Sequence, residues 1–203
     1  MSKTLVVSYC PRSGSNTKKL VDHFTKLAEG KTEIEVLELA KNPVPMFLEK
    51  EINAYVKRNF GGQELTSDEI EILKPIDELC NQVLNADYVV LAYPIYNFTF
   101  PGPVKCWFDA IIQSGKTFKY ENGGFVGMLT GKKALVITTS GGDYSSNAAW
   151  DFSTPLAHGE FGFIGMESKV ITAGGMSMSP EMTESSLNSA MQKIDTTVSE
   201  WYH

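Results

Sequence analysis

The stretch Tyr88-Val89-Val90-Leu91-Ala92-Tyr93-Pro94-Ile95-Tyr96-Asn97-Phe98-Thr99-Phe100-Pro101-Gly102-Pro103-Val104-Lys105 decides the fold. Its first five residues form an unbroken run that reads as a strand buried on both faces, as in the middle of a parallel sheet. From Val104 the apolar period lengthens to that of a helix, with Val104, Phe108, Ile111 and Ile112 on one face. The loop between them therefore lies at the carboxyl end of a sheet strand, where open α/β sheets take their ligands. Pro94, Pro101 and Pro103 fix φ and push Tyr93, Phe100 and Gly102 towards extended geometry. Between the prolines stand aromatics and an asparagine that helix packing does not use. A stiff loop of this kind suits a planar aromatic cofactor. An ordinary Pro-rich connector with aromatics covering the sheet edge is the alternative.

Outward from this stretch, strands and helices alternate. Upstream, the apolar run Thr4–Tyr9 ends in the turn cluster Cys10-Pro11-Arg12-Ser13-Gly14-Ser15-Asn16-Thr17, and Leu20, Phe24, Leu27 and Ala28 then mark one helix face. Thr32–Leu39 sets Ile34 and Val36 against Glu33 and Glu35, the pattern of a strand with one wet face near a sheet edge. Asn42-Pro43-Val44-Pro45 reads as extended chain, Glu49–Asn59 as a helix ending before Gly61-Gly62, and Thr66-Ser67-Asp68-Glu69 as a capping box opening a helix through about Leu84.

Downstream, Thr117–Tyr120 and Phe125–Leu129 flank a Gly-rich turn as a hairpin-like excursion. Ala134–Thr139 is another buried strand, Pro155–Phe163 a helix and Lys169–Ala173 the last strand. Leu187, Ala190, Ile194, Val198 and Trp201 stripe a final helix. Five such alternations, with no repeat or linker, predict one α/β domain over residues 1–203. The expected architecture is a flavodoxin-like three-layer sandwich: a five-stranded parallel sheet in the order 2-1-3-4-5 with helices on both faces.

At 203 residues the chain is long enough to bury a substantial core, and its net charge of −6 is spread without a long block. That balance weighs against nucleic acid or an anionic membrane as partner. Cys10, Cys80 and Cys106 form no C-x-x-C pair, and with only His23, His158 and His203 no zinc-site spacing can be assembled, so no metal is expected. Reduced thiols point to a cytoplasmic protein. The first apolar run is too short for a signal-peptide core, and no stretch approaches a membrane span.

In the inferred strand order the loops Tyr9–Thr17, Pro94–Phe100 and Thr139–Tyr144 converge at one rim. The first is rich in hydroxyls and amides and runs directly into a helix, which suits a phosphate; plain N-capping by Ser15 is the alternative. It lacks the glycine spacing of a dinucleotide fingerprint and the ending of a P-loop. A phosphotyrosine phosphatase would need an arginine six positions after a nucleophilic cysteine, and Cys10 has Asn16 there. No acidic pair follows the first strand, as a receiver domain would require. In Thr139-Ser140-Gly141-Gly142-Asp143-Tyr144 the glycines allow close backbone approach, and donors there could meet charge on a ring being reduced. A tight turn is the bland reading. Arg12, Lys18 and His158 read as ordinary polar residues.

Together the three loops resemble the flavodoxin-like FMN-dependent NADH:quinone oxidoreductases, also called azoreductases. The likeness runs end to end: Ser15-Asn16-Thr17 with Leu20 and Phe24, Asn42-Pro43-Val44-Pro45, Pro94-Ile95-Tyr96-Asn97-Phe98, and Lys105-x-x-x-Asp109. It continues through Gly115-Lys116-Thr117-Phe118-Lys119-Tyr120, Thr139-Ser140-Gly141-Gly142 and Phe161-Gly162-Phe163-Ile164-Gly165. The resemblance implies FMN as a tightly bound, non-covalent cofactor. Ser15, Asn16 and Thr17 would hold its phosphate, with Cys10 or Tyr9 in place of a contacting serine. Pro94, Ile95, Tyr96, Asn97 and Phe98 would line the ring and ribityl chain, and Thr139, Ser140, Gly141 and Gly142 the pyrimidine end.

The resemblance also implies a ping-pong, two-electron reaction. NADH or NADPH passes hydride to flavin N5, and a quinone or azo compound then takes the same place. The flavin carries the chemistry, so no catalytic side chain is expected. A homodimer would complete the site, with Phe118, Tyr120, Phe125, Tyr144, Phe161 and Phe163 as candidates for the substrate pocket. For Phe161 and Phe163, core packing at a helix end is the competing reading. Rival functions are a flavodoxin-type carrier without small-molecule turnover, a flavin-free regulatory domain, and a quinone reductase using FAD.

Overall fold

Residues 1–145 and 148–202 are described by the computed structural model. The apolar runs become parallel strands β1 (Lys3–Ser8), β3 (Tyr88–Pro94) and β6 (Lys133–Thr139), flanked by β2 (Glu33–Glu38) and β7 (Glu167–Ala173). Their order is β2-β1-β3-β6-β7, which among the five sheet strands is the expected 2-1-3-4-5. The wet alternating strand β2 is indeed an edge.

Alternation along the strands sorts the side chains into two cores. Leu5, Val7, Val89, Leu91, Tyr93 and Val136 face α3 (Ser67–Asn85), α4 (Gly102–Ile111) and α5 (Ser153–Phe163), where Val83, Trp107, Phe108 and Phe161 meet them. Val6, Val90, Ala92, Leu135 and Ile137 face the other way, onto Leu20 and Phe24 of α1 (Asn16–Ala28) and Leu187, Ile194, Val198 and Trp201 of α6 (Pro180–Trp201). The Thr66 hydroxyl accepts from the Glu69 amide and the Glu69 carboxylate from the Thr66 amide, so the predicted capping box opens α3.

Two additions lie off the sheet. The helix α2 (Glu49–Asn59) packs through Ala54 against Leu73 and Ile76 of α3. Strands β4 (Phe118–Glu121) and β5 (Gly124–Gly127) form the expected antiparallel hairpin. The loop leading into the hairpin is fastened by ion pairs: Asp77 of α3 accepts two bonds from Arg58 of α2, at 2.7 and 3.0 Å, and one from Lys116 at 2.7 Å. The hairpin's far end presses on the turn after α5, where a Cβ on Gly127 would lie 2.2 Å from the Gly165 nitrogen.

Both fastenings are testable. Gly127→Ala should lower stability by about 1–3 kcal/mol through overpacking, read as a lower urea midpoint at unchanged m-value. Burial would raise the Asp77 pKa, but the bonds from Arg58 and Lys116 outweigh it and hold the carboxyl below its ordinary value. A depressed carboxylate stabilises the fold above the ordinary range, and the contribution is lost as pH falls through the folded-state pKa. Asp77→Asn should therefore destabilise the protein at neutral pH, and its deficit against wild type should shrink below about pH 4.

Candidate functional site

Strand β1 ends at Ser8, and the chain turns through Ser15 into α1. Ser15 is the N-cap: its hydroxyl accepts from the Lys18 amide at 3.3 Å. The amides of Asn16 and Thr17, at the first two helical positions, have no carbonyl of their own helix to bond, and they sit at the positive end of its dipole. Thr17 is buried with its hydroxyl 2.7 Å from that of Thr139, the last residue of β6. The Thr139 carbonyl accepts from the Ile95 amide at 2.7 Å. The ends of β3 and β6 and the N-terminus of α1 therefore meet at Thr139.

Beyond Ile95 the proline-bounded loop is not extended throughout; it folds into a two-residue hairpin turn. Tyr96 donates to the Thr99 carbonyl at 2.9 Å and Thr99 to the Tyr96 carbonyl at 3.2 Å. Asn97 and Phe98 between them take φ of 49° and 73°. Consecutive positive φ values are what such a turn demands. Asparagine tolerates them, whereas a phenylalanine there costs about 1–3 kcal/mol.

The remaining wall is a pair of loops zipped by backbone bonds. The amides of Gly175, Met176 and Ser177, after β7, donate to the carbonyls of Gly142, Ser140 and Gly141, each at 3.0 Å. A side chain at Gly141 would meet the Ser177 hydroxyl at 2.9 Å, so glycine permits this approach. The walls enclose a cleft of about 310 Å³. Among the described residues that line it, the one formally charged side chain is the exposed Arg12.

Of the residues singled out in the sequence, Ser15, Asn16, Thr17, Pro94, Ile95, Tyr96, Thr139, Ser140 and Gly141 line this cleft. Asn97 and Phe98 are exposed at the hairpin tip, and Gly142 lies just past the wall, its carbonyl occupied by the Gly175 amide and the Ser140 hydroxyl. Neither Tyr9 nor Cys10 lines the cleft. Tyr9 packs edge-on against Tyr96, ring centres 6.4 Å apart. Cys10 lines an adjoining hollow with Lys18, Asp22 and Glu38, which shares Pro11, Arg12 and Ser15 with the cleft. Burial pushes its thiol up to about 11, against a hydrogen bond with Ser15 that pulls the other way.

The proposed substrate walls divide. Phe118, Tyr120, Phe125 and Phe163 form one cluster, with Phe118–Phe163 and Tyr120–Phe125 ring centres 4.8 and 5.4 Å apart, and none of them lines the cleft. Phe161 is a correction: it is fully buried against Phe108, ring centres 5.2 Å apart, and is core. Tyr144 lines a neighbouring hollow with Asp143, Asp151 and Thr172 instead of the cleft. Sequence reasoning missed Pro11, Met176 and Ser177 and took Arg12 for an ordinary polar residue. Gly174-Gly175 immediately after the edge strand β7 is the available signal for the second and third of these.

A protein-family model described as a flavodoxin-like fold matches residues 2–198. An FMN-dependent NADH:quinone oxidoreductase of Shewanella loihica is 35% identical over 201 residues, covering 98% of this chain and all (100%) of the relative. One of the same name from Escherichia coli K12 is 35% identical over 204 residues, covering 98% and 100%. Among solved structures, an azoreductase from Bacillus anthracis matches with a TM-score of 0.90 at 26% identity, over 99% of this chain and 100% of that one. An FMN-dependent NADH-azoreductase of the same species in complex with FMN matches with a TM-score of 0.89 at 27% identity, over 100% of both chains.

The raised thiol makes Cys10 a poor nucleophile at neutral pH. Its alkylation by iodoacetamide at pH 7.5, followed by peptide mass spectrometry, should run at least about tenfold slower than that of a small free thiol.

Proposed function

We propose, for a chain that belongs to the FMN-dependent NADH:quinone oxidoreductase family, that the cleft at Thr139 binds FMN and carries reduction of quinones and azo compounds by NADH or NADPH. The observation behind this reading is the meeting of the α1 N-terminus, the Pro94–Tyr96 segment and the Thr139–Gly141 loop in one cleft. Hydride in from the nicotinamide and two electrons out to the acceptor, in ping-pong fashion, are what bound FMN supplies.

The donor set fits such a group. The amides of Asn16 and Thr17, the Ser15 hydroxyl and the Arg12 guanidinium suit a phosphate dianion. The helix dipole contributes only about 0.3–1 kcal/mol. Hydrogen bonds to the charged oxygens, about 1.5–3 kcal/mol each, supply most of the grip. The paired hydroxyls of Thr17 and Thr139 use one of their two protons on each other, which leaves the second to donate to a ligand. Pro94, Ile95 and Tyr96 on one side and Ser140 and Gly141 on the other make walls for a flat ring, with Asn97, Phe98 and Gly142 at its margins. These residues bind and orient; no acid–base pair is needed.

The finer reading is a cytoplasmic homodimer built from one 1–203 domain. The unpaired cysteines support a reducing compartment, and among the described residues no helix is long and apolar enough to cross a membrane. Tyr120 and Phe125 are 67% and 64% exposed beside Val126, Met128 and Phe163, an apolar patch suited to a partner subunit whose cleft they would wall. A one-electron carrier has no use for such walls.

The purified protein should be yellow, release FMN and not FAD on denaturation, and oxidise NADH with menadione or methyl red as acceptor. A colourless protein that takes up no FMN, or a bound flavin with no turnover, would overturn the assignment.

A further inference from the structure

The left-handed backbone at Asn97 and Phe98 is one that L side chains leave unless their surroundings hold them in it. The two bonds between Tyr96 and Thr99 close the neck of the turn, and the Ile95–Thr139 bond ties that neck to the sheet. The tip has a different support, the segment Trp150–Ser153 leading into α5. The Phe152 amide donates to the Phe98 carbonyl at 3.1 Å, and the Trp150 ring lies across that of Phe98 with centres 5.0 Å apart.

The same segment is tied to the other end of the loop. The Ser153 and Tyr93 hydroxyls are 3.0 Å apart, and both residues are fully buried. The segment is itself stiffened. The Asp151 carboxylate accepts from the amides of Ser153 and Thr154 at 3.0 and 2.9 Å, and the Asp151 amide donates to the Ala148 carbonyl at 3.1 Å. One braced segment therefore grips the loop on both sides of its cleft-lining residues, Pro94 to Tyr96.

We propose that Trp150, Phe152 and Ser153 are positioning residues for this loop: they hold the Asn97-Phe98 turn left-handed in the free protein, so the wall is formed before a ligand arrives. A loop formed in advance spares the ligand its ordering. Without the latch only a fraction of molecules would carry a formed wall, and apparent affinity would fall by that fraction. The ligand half of the proposal rests on the FMN reading above; the geometric half does not.

The test uses the full chain with Trp150→Ala, a half-exposed position whose loss opens no core. Hydrogen exchange at the Thr99 amide should accelerate about tenfold and the FMN dissociation constant, from flavin fluorescence titration, should rise about five- to tenfold. The Val90 and Val136 amides should exchange as before, and Trp150→Phe, which keeps a ring over Phe98, should restore both readouts. Tyr93→Phe should move both in the same direction as Trp150→Ala. Wild-type Thr99 exchange and FMN affinity in Trp150→Ala, or faster exchange spread over Val90 and Val136, would overturn the latch. Should the wild-type chain take up no FMN, the functional reading falls, and Thr99 exchange alone then decides the latch.

Discussion

Register in the parallel sheet is the constraint on which the rim depends. Ser8 lies beside Ala92, Ala92 beside Ile137, and Thr139 beside both Pro94 and Ala173, so four strands end at nearly one level. The hydrophobic sorting enforces this alignment. A slip of one residue would turn Val6, Val90 and Leu135 away from α1 and α6 and send their neighbours there instead. Because both faces are buried, no such slip is tolerated. The convergence of the strand-end loops follows from core packing, without attraction between the loops themselves.

The architecture was legible because each element carried its own local signal. Unbroken apolar runs marked β1, β3 and β6, the glutamates of β2 marked an edge, and Thr66 with Glu69 announced α3. Strand order was legible only through topological habit, since no residue in a parallel strand names its neighbour. The polar part of the cleft was legible for a similar reason. Ser15, Asn16 and Thr17 combine capping chemistry with the first position of a helix, and that combination reads the same way in sequence and in space.

Less legible is what depends on side-chain direction. Phe161 and Phe163 are two positions apart on α5, yet one is core and the other is partly exposed beside Phe118. Two positions on a helix are about 200° apart around its axis, so Phe161 turns to the sheet and Phe163 to the hairpin. Cys10 sits in the right loop but lines the adjoining hollow and not the cleft itself. Met176 and Ser177 belong to a loop with no aromatic or charged signature, drawn into the cleft by backbone bonds that sequence does not advertise. The prolines pointed to stiffness, but the tight turn they bracket rests on φ values that Phe98 does not prefer.

The two rims of the sheet have a consequence of another kind. Among the described residues strand β2 bonds only to β1 and β7 only to β6, so each leaves one row of amides and carbonyls without a described strand beside it. Glu33, Glu35 and Glu38 punctuate the first, and Glu167 and Lys169 the second, with Lys3 and Glu200 paired to Glu35 and Lys169. Charge at these borders discourages a foreign strand from docking and propagating into a fibril. The edges of the sheet are thereby made poor templates for open-ended, strand-by-strand growth.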